Sequence, residues 1–538
     1  MEYSTTEEGK RKLTVTYWSI TELPEIKDIE ILECDNCISL TFIPNIEGLK
    51  ELYCINCKSI SKIPNIEGLK ILQCKWCEQL TSIPNIKGLE TLECEDCNQL
   101  NSIPNIEGLK RLDLASCENL NLIPNIKGLE DLHLCWCKLI KSIPKIEGLK
   151  NLCCNGCELI DTIPNIEGLE YLDCCNCNLL NKIPNIKGLD RLDCRNCSNL
   201  TEIPNIESLW YLDCGDCDSL TSISEMNNLK FLDCYGCTSL ALIPNIDTIE
   251  NLTCYGCKLI TYIPNLKNLD TLNCNSNSLL THIPNMKSLK KLKCSNCPLL
   301  TSLPNCDNLI ELECMDCKSL TSIPNFEKLE ILICRFCDLL NYIPNIKTLK
   351  YLECSTCLSL ANIPNIKDLK ELNCAELPLL TCIPNIEGLQ KLDCTSSKAL
   401  TSIPNIKGLE ELYCNDCPLI TSIPNIEGLK GLYCCSCTML KYIPNIKGLE
   451  ELNCCFCRLL IKLPKIKGLK KLFHNNCNWI NPQKKKLRDL IKLQRWFDRY
   501  LRRKRIEKLI PNVLKYWFSP DGPGGKSTIA KLNRIYNK

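Results

Sequence analysis

Histidine is nearly missing from this chain: His133, His282 and His474 are the only three among 538 residues. None falls in a visible Ser/His/Asp grouping, so triad hydrolysis has no residues to run on and no enzyme is expected. No stretch approaches 18 uninterrupted apolar residues, which argues against a helical membrane span. The opening, "MEYSTTEEGKRKLTVTYWSI", lacks the apolar h-region and small-residue cleavage site of a secretory leader. An intracellular chain with reduced thiols is therefore expected. Net charge is nearly zero as well: 64 Lys/Arg against 63 Asp/Glu give +1. That balance is not local. Residues 478–538 hold 17 basic and 4 acidic residues, or +13, which leaves 47 against 59, or −12, for the rest. An acidic body carries a basic tail.

What the chain has in quantity is a repeat. Pro24, Pro44, Pro64 and so on to Pro464 mark 23 units of 20 residues without a slip, and only Ser224 interrupts the series. The unit reads L-x-x-L-x-C-x-x-C-x-x-L-x-x-I-P-N-I-x-G, for example Leu49, Leu52, Cys54, Cys57, Ile60, Ile63, Pro64, Asn65, Ile66 and Gly68. "LKELYC" alternates apolar and polar, as a short strand with one buried face does. "IPN" cannot extend a central strand, because proline has no N–H to donate. The chain must turn back within each unit. Twenty residues cannot enclose a core, so successive units stack and bury one another's leucines. Parallel strands about 4.8 Å apart then build a rod on the order of 110 Å long.

The pattern L-x-x-L-x-C-x-x-C resembles the leucine-rich repeat family, with cysteine at the third leucine position and at the asparagine position. The "IPNI" half resembles short repeats with "LPxL" on their convex side. The match runs from about Leu23 to Cys477. Cysteine-rich short arrays of this kind resemble those encoded by large DNA viruses of amoebae, which would place the protein in the host cytoplasm. The resemblance implies a horseshoe or arc with parallel β-strands on the concave face and irregular or 3-10 segments on the convex one. It also implies a protein–protein interaction scaffold that catalyses nothing. A ubiquitin-ligase effector of this repeat class carries a large catalytic domain, for which the 61 residues after Cys477 leave no room. A substrate-recognition role within a ligase is the alternative in that class.

The 47 cysteines invite a zinc reading, because C-x2-C-x16-C-x2-C lies within zinc-binding spacings. The repeats argue against it. The first cysteine column holds Leu114, Leu134 and His474 as exceptions, and the second holds Asn277, Leu377 and Ser397. Leucine binds no metal but fills an apolar slot. Cysteine packs as a small hydrophobe with a weak donor, and in-register side chains that point the same way make poor disulfides. No metal or cofactor is expected. Seven cysteines stand outside the columns: Cys135, Cys153, Cys175, Cys306, Cys382, Cys435 and Cys455. Cys135, Cys175, Cys435 and Cys455 follow the strand directly and are expected to be exposed and first to oxidise.

Function is expected on the face lined by strand residues. Asp173, Asp193, Asp213 and Asp233 occupy one column in four successive units. At strand spacing a like-charge ladder costs stability. Tyr171, Tyr211 and Phe231 precede it, Tyr235 and Tyr255 follow it, and Arg191 is placed to offset some of the acid. These residues form the expected site for a basic protein or peptide, in which rings supply area and aspartates supply electrostatic selection. A hydrophilic face kept soluble by its charge is the plain alternative, and a cation held by the aspartates alone is a third. On the convex side, charges three apart such as Glu47/Lys50, Lys87/Glu90 and Glu427/Lys430 are expected to pair.

Three parts result: an N-terminal cap over residues 1–22, the array over 23–477, and a basic tail over 478–538. "RKLTVTYWSI" is expected to form a strand over the first repeat. Leu487, Leu490, Ile491, Phe497 and Leu501 fall near one side of a helix that ends at Pro511. This helix is expected to cap the last repeat or to offer a basic surface to nucleic acid or anionic membranes. "DGPGGKST" echoes a phosphate-binding loop, but Pro520 stands where that motif needs glycine and no strand–helix unit surrounds it. Nucleotide binding is not expected.

Overall fold

A computed structural model describes residues 2–16, 19, 21–463 and 465–477. The chain is a parallel β-solenoid of about 23 coils, with no helix among the described residues. Among the described residues, the side opposite the strands has irregular backbone, isolated bridges and turns, and none of the expected 3-10 segments. The tail helix expected beyond Asn478 lies outside the described residues, as do Tyr17, Trp18 and Pro464.

The solenoid begins with a hairpin. β1 (Glu2–Thr5) pairs antiparallel with β2 (Arg11–Thr16), and β2 lies parallel on β3 (Ile31–Asp35) of the first coil. β4 (Glu51–Ile55) follows, and from Ile71 onward each coil adds a strand of three residues. Residues 20 apart face each other in register, as Leu172 does Leu192. Together these strands make one 25-stranded sheet. Burial explains the register. The central leucine of each strand, such as Leu52, Leu72 and Leu92, is fully buried, and a one-residue slip would turn every one outward.

The strands are short because the chain turns two residues after each one. The residue before the second cysteine always has positive φ, for example Asn36, Asp96 and Gly156. Asn, Asp and Gly dominate there because they tolerate this left-handed region best. The opposite side of each coil pairs sparsely, since proline withholds a donor. Among the described residues its one regular pairing, Glu202–Ile203 with Ser222–Ile223, ends where Ser224 replaces proline and donates its N–H to Ile203 O at 3.0 Å.

The two cysteine columns have different tasks. The first is an apolar slot in which Leu114 and Leu134 are as buried as the cysteines. The second is a column of donors to the previous coil: Cys97 to Cys74 O at 2.7 Å, Cys157 to Leu134 O at 3.0 Å, Cys317 to Cys294 O at 3.1 Å. Two of the three exceptions keep the task, while Leu377, fully buried, only fills the slot. Ser397 Oγ donates to Cys374 O, and Asn277 Nδ2 donates to both Cys254 O and Cys274 O. Asn277 Oδ1 then has no hydrogen-bond partner among the described residues, so a thiol, which brings a donor and no strong acceptor, suits a site walled by carbonyls. Burial pushes the Cys117 and Cys137 thiols up to about 12.

The charges three apart, such as Glu47/Lys50 and Lys87/Glu90, do not pair within a unit as expected. They pair between coils along one column: Lys70–Glu90 at 2.8 Å, Lys150–Glu130 at 2.9 Å and Lys430–Glu410 at 2.7 Å. Stacking in register brings residues 20 apart closer than the turn brings residues three apart. Each such exposed pair contributes at most about 0.2–1 kcal/mol.

Candidate functional site

The strand face from Asn151 to Tyr255 presents three side-chain columns. Register places Asp173, Asp193, Asp213 and Asp233 side by side on consecutive strands. Each has a local task that the sequence did not disclose. Its Oδ1 accepts the backbone N–H two residues on: Cys175 at 3.1 Å, Arg195 at 3.4 Å, Gly215 at 3.2 Å and Tyr235 at 3.3 Å. This Asx bond steers the chain out of the strand and into the left-handed turn.

Arg195 supplies most of the charge relief. Its Nε and Nη2 donate to the two oxygens of Asp193 at 2.9 and 2.7 Å, and Nε lies 3.3 Å from Asp213 Oδ2. Arg191, expected to offset the acid, lies elsewhere. Its guanidinium sits 4.8 Å from the Tyr211 ring, 5.7 Å from Tyr171 and 5.6 Å from Trp210. Cation–π attraction, rather than an aspartate, holds it. Asn151, Glu170, Tyr171, Asp190, Arg191 and Trp210 line a shallow hollow of about 390 Å³.

The carboxylates differ in surroundings. Asp213 is only 6% exposed. Burial, then the charges of Asp233 and Asp193, pushes its carboxyl up to about 7 against the opposing Gly215 N–H and Arg195. Burial likewise pushes Asp233 up to about 6, with Asp193 and Asp216 adding to it. Burial raises the Tyr171 and Tyr235 hydroxyls to about 12, so both stay protonated donors.

The expected rings gather in two groups. Tyr211 and Phe231 lie 6.3 Å apart, with Trp210 edge-on to both at 6.0 and 5.9 Å. Tyr235 and Tyr255 stack at 5.0 Å and 8°. The Tyr235 ring lies on Gly215, where an added Cβ would stand 2.2 Å from Cε1. Sequence reasoning missed Arg195, Trp210 and Gly215. Arg195 stands two residues past Asp193, on the same side of the strand. Trp210 replaces a residue that is charged in most coils, and that substitution was the available signal.

The off-column cysteines depart from expectation. Cys175 is buried, because its side chain folds against Asp193, and Cys135, Cys435 and Cys455 are half-buried. Cys382, not singled out, is exposed.

The chain was compared with protein-family models, with curated proteins and with solved structures, and nothing matches. No helix among the described residues is long and apolar enough to cross a membrane.

Proposed function

We propose that this solenoid is a leucine-rich-repeat-type scaffold that binds a basic protein or peptide through the strand face from Tyr171 to Tyr255. The observation that carries this reading is the stack of four aspartates in register, two of them with carboxyls pushed up toward neutrality. Such a stack gains from added positive charge, which a lysine- or arginine-bearing partner supplies. The Trp210 cluster and the Tyr235–Tyr255 stack flank it and offer contact area. The family reading draws support from Asn277, whose amide bridges carbonyls of two coils. It implies an arc with these strands on the concave side. It also assigns residues 478–538 to capping, and Leu472 and Phe473, 41% and 52% exposed at the last strand, are the apolar surface for a cap. Truncation after Cys477 should then lower soluble yield and fray the last coils in hydrogen exchange; an unchanged exchange pattern rejects the cap.

The test of the binding face is Asp193→Asn with Asp213→Asn in the full chain. The double variant should fold, bind the basic partners recovered from cells more weakly, and show a flatter salt dependence of association. If every interaction and its salt dependence survive, the face is ordinary solvated surface.

A further inference from the structure

Three of the seven off-column cysteines, Cys135, Cys153 and Cys175, fall in successive coils on this same face. They run directly into the acid ladder. From Glu93 to Asp233 every residue of the ladder column is a potential metal ligand, and register sets His133 beside Cys153 and Cys153 beside Asp173. Cys135 is half-buried just past the strand of the coil before Cys153. Cys153 Sγ lies 3.2 Å from Asp173 Oδ2, and Cys175 Sγ lies 2.6 Å from Asp193 Oδ1. One ligand atom each from Asp173, Cys175 and Asp193 lie within 4.8 Å of one another. Column cysteines, by contrast, are sealed in the core, those of the second column on backbone carbonyls.

We propose that Cys153, Asp173, Cys175 and Asp193 bind one thiophilic divalent cation of the zinc or cadmium kind, with Cys135 as an adjacent reserve ligand. A tetrahedral site with metal–sulfur and metal–oxygen bonds of about 2.3 and 2.0 Å needs ligand atoms about 3.3–3.8 Å apart. Ligand atoms of Asp173, Cys175 and Asp193 already lie within 4.8 Å of one another, and Cys153, 3.2 Å from Asp173 Oδ2, is the fourth ligand that must swing in. Two thiolates and two carboxylates suit a borderline-soft ion better than magnesium or calcium, which prefer oxygen alone. Without metal, each thiol keeps its proton and leans on a carboxylate. On binding, two S–H bonds break, two metal–sulfur bonds form and two protons leave to solvent. No electron is transferred. Arg195 keeps Asp213 within reach of Nε when Asp193 turns to the ion.

The site does not depend on a macromolecular partner, so the isolated full chain tests it. The reduced, metal-free protein is titrated with Cd2+ and followed by the ultraviolet cadmium–thiolate band and by proton release. One equivalent per chain and two protons per ion are expected. Cys153→Ser with Cys175→Ser should abolish that equivalent, whereas Cys435→Ser with Cys455→Ser should leave it. Asp173→Asn, which preserves both thiols, should weaken Cd2+ by at least about tenfold. Should the double serine variant fail to fold, Asp173→Asn decides, and unchanged affinity there overturns the proposal. So does the lack of a saturable equivalent, a band that survives loss of Cys153 and Cys175, or a stoichiometry of many ions per chain, which would assign binding to the columns.

Discussion

Two stretches of one sheet treat charge in opposite ways. At Lys291–Lys293 and Glu311–Glu313, the outward residues of neighbouring strands pair across the ladder, Lys291 with Glu311 at 3.2 Å and Lys293 with Glu313 at 2.9 Å. At Asp173 to Asp233 the same column stacks like charge on like charge. Backbone, register and spacing are shared, so the scaffold does not require the acid. A third stretch separates the carboxylate's two attributes. Asn273 and Asn373 occupy the same column and accept the same Asx bond, from Asn275 at 3.3 Å and Ala375 at 3.2 Å. The turn therefore needs an acceptor oxygen and not a charge. Four negative charges in succession are what the fold leaves unaccounted for.

The comparison breaks most severely at Arg195, the cation that the acid stretch does have. Arg195→Ala leaves Asp193 and the 6%-exposed Asp213 without it. Loss of about 2 kcal/mol is expected at pH 8, read as faster amide exchange in the strands from Tyr171 to Asp233. At pH 5 the loss should shrink, because Asp213 and Asp233, pushed up to about 7 and about 6, then hold protons. An equal loss at both pH values would mean that Arg195 acts through packing alone.

Neutralising Asp213 should do the reverse. Its carboxyl titrates near 7 when folded, against about 3.9 unfolded. Between those values the folded state holds the extra proton. Stability contributed by this group therefore falls as pH rises through that window, and the whole cost is present above it. Asp213→Asn retains an acceptor for the Gly215 N–H and carries no charge. It should stabilise these coils by on the order of 1–2 kcal/mol at pH 8, after the loss of Arg195's contact, and by nothing near pH 4. Destabilisation at pH 8 would show that the ladder is held together by its cation rather than strained by its anions.

How much of this could be read in advance differs with the kind of interaction. The 20-residue period gave the stacking and the parallel strands, because a buried leucine in every coil admits one register. Exceptions within a column identified chemistry: Leu114 exposes an apolar slot, and Asn277 and Ser397 expose a donor slot. Contacts between coils were harder to see. Glu90 was matched with Lys87, three residues away, but its partner is Lys70, one coil back. Arg191 was matched with the acid, but rings surround it. Cys175 was expected outside, but Asp193 of the next coil holds it in. Each error took proximity along the chain for proximity in space. The turn at the glycine position shows a further limit. Gly48 needs φ 82°, yet nine consecutive units from Ser208 to Asp368 have no glycine and no positive φ there. Ser208 and Thr248 instead donate side-chain bonds to Leu189 O and Leu229 O. A conformational device and a hydrogen-bonding device serve one turn, and the repeat consensus shows only the first.

The acceptor argument sharpens at Asn273. Asn273→Ala removes the bond to the Asn275 N–H and should cost about 1 kcal/mol, measured by local amide exchange. Asn273→Asp restores an acceptor and should recover most of that. If the aspartate variant is as weak as the alanine one, the turn depends on the amide itself, and the ladder aspartates are not simple replacements for asparagine.

The smallest effect is expected in the stretch where charge is already matched. Glu313 lies 2.9 Å from Lys293, both side chains partly exposed. Glu313→Gln removes one ion pair and leaves a neutral side chain of similar length. The expected loss is about 0.5 kcal/mol, reduced further in high salt. Its sign is the point. Taking one negative charge from the paired stretch should destabilise, whereas taking one from the acid stretch at the same pH should stabilise. Swapping the pair, Lys293→Glu with Glu313→Lys, should restore the original stability, because the sheet fixes spacing and is indifferent to which strand bears which sign. Measured at pH 8 by amide exchange in the strands at Leu292 and Leu312, a gain from Glu313→Gln would mean that negative charge strains this whole face, and the distinction between the two stretches would collapse.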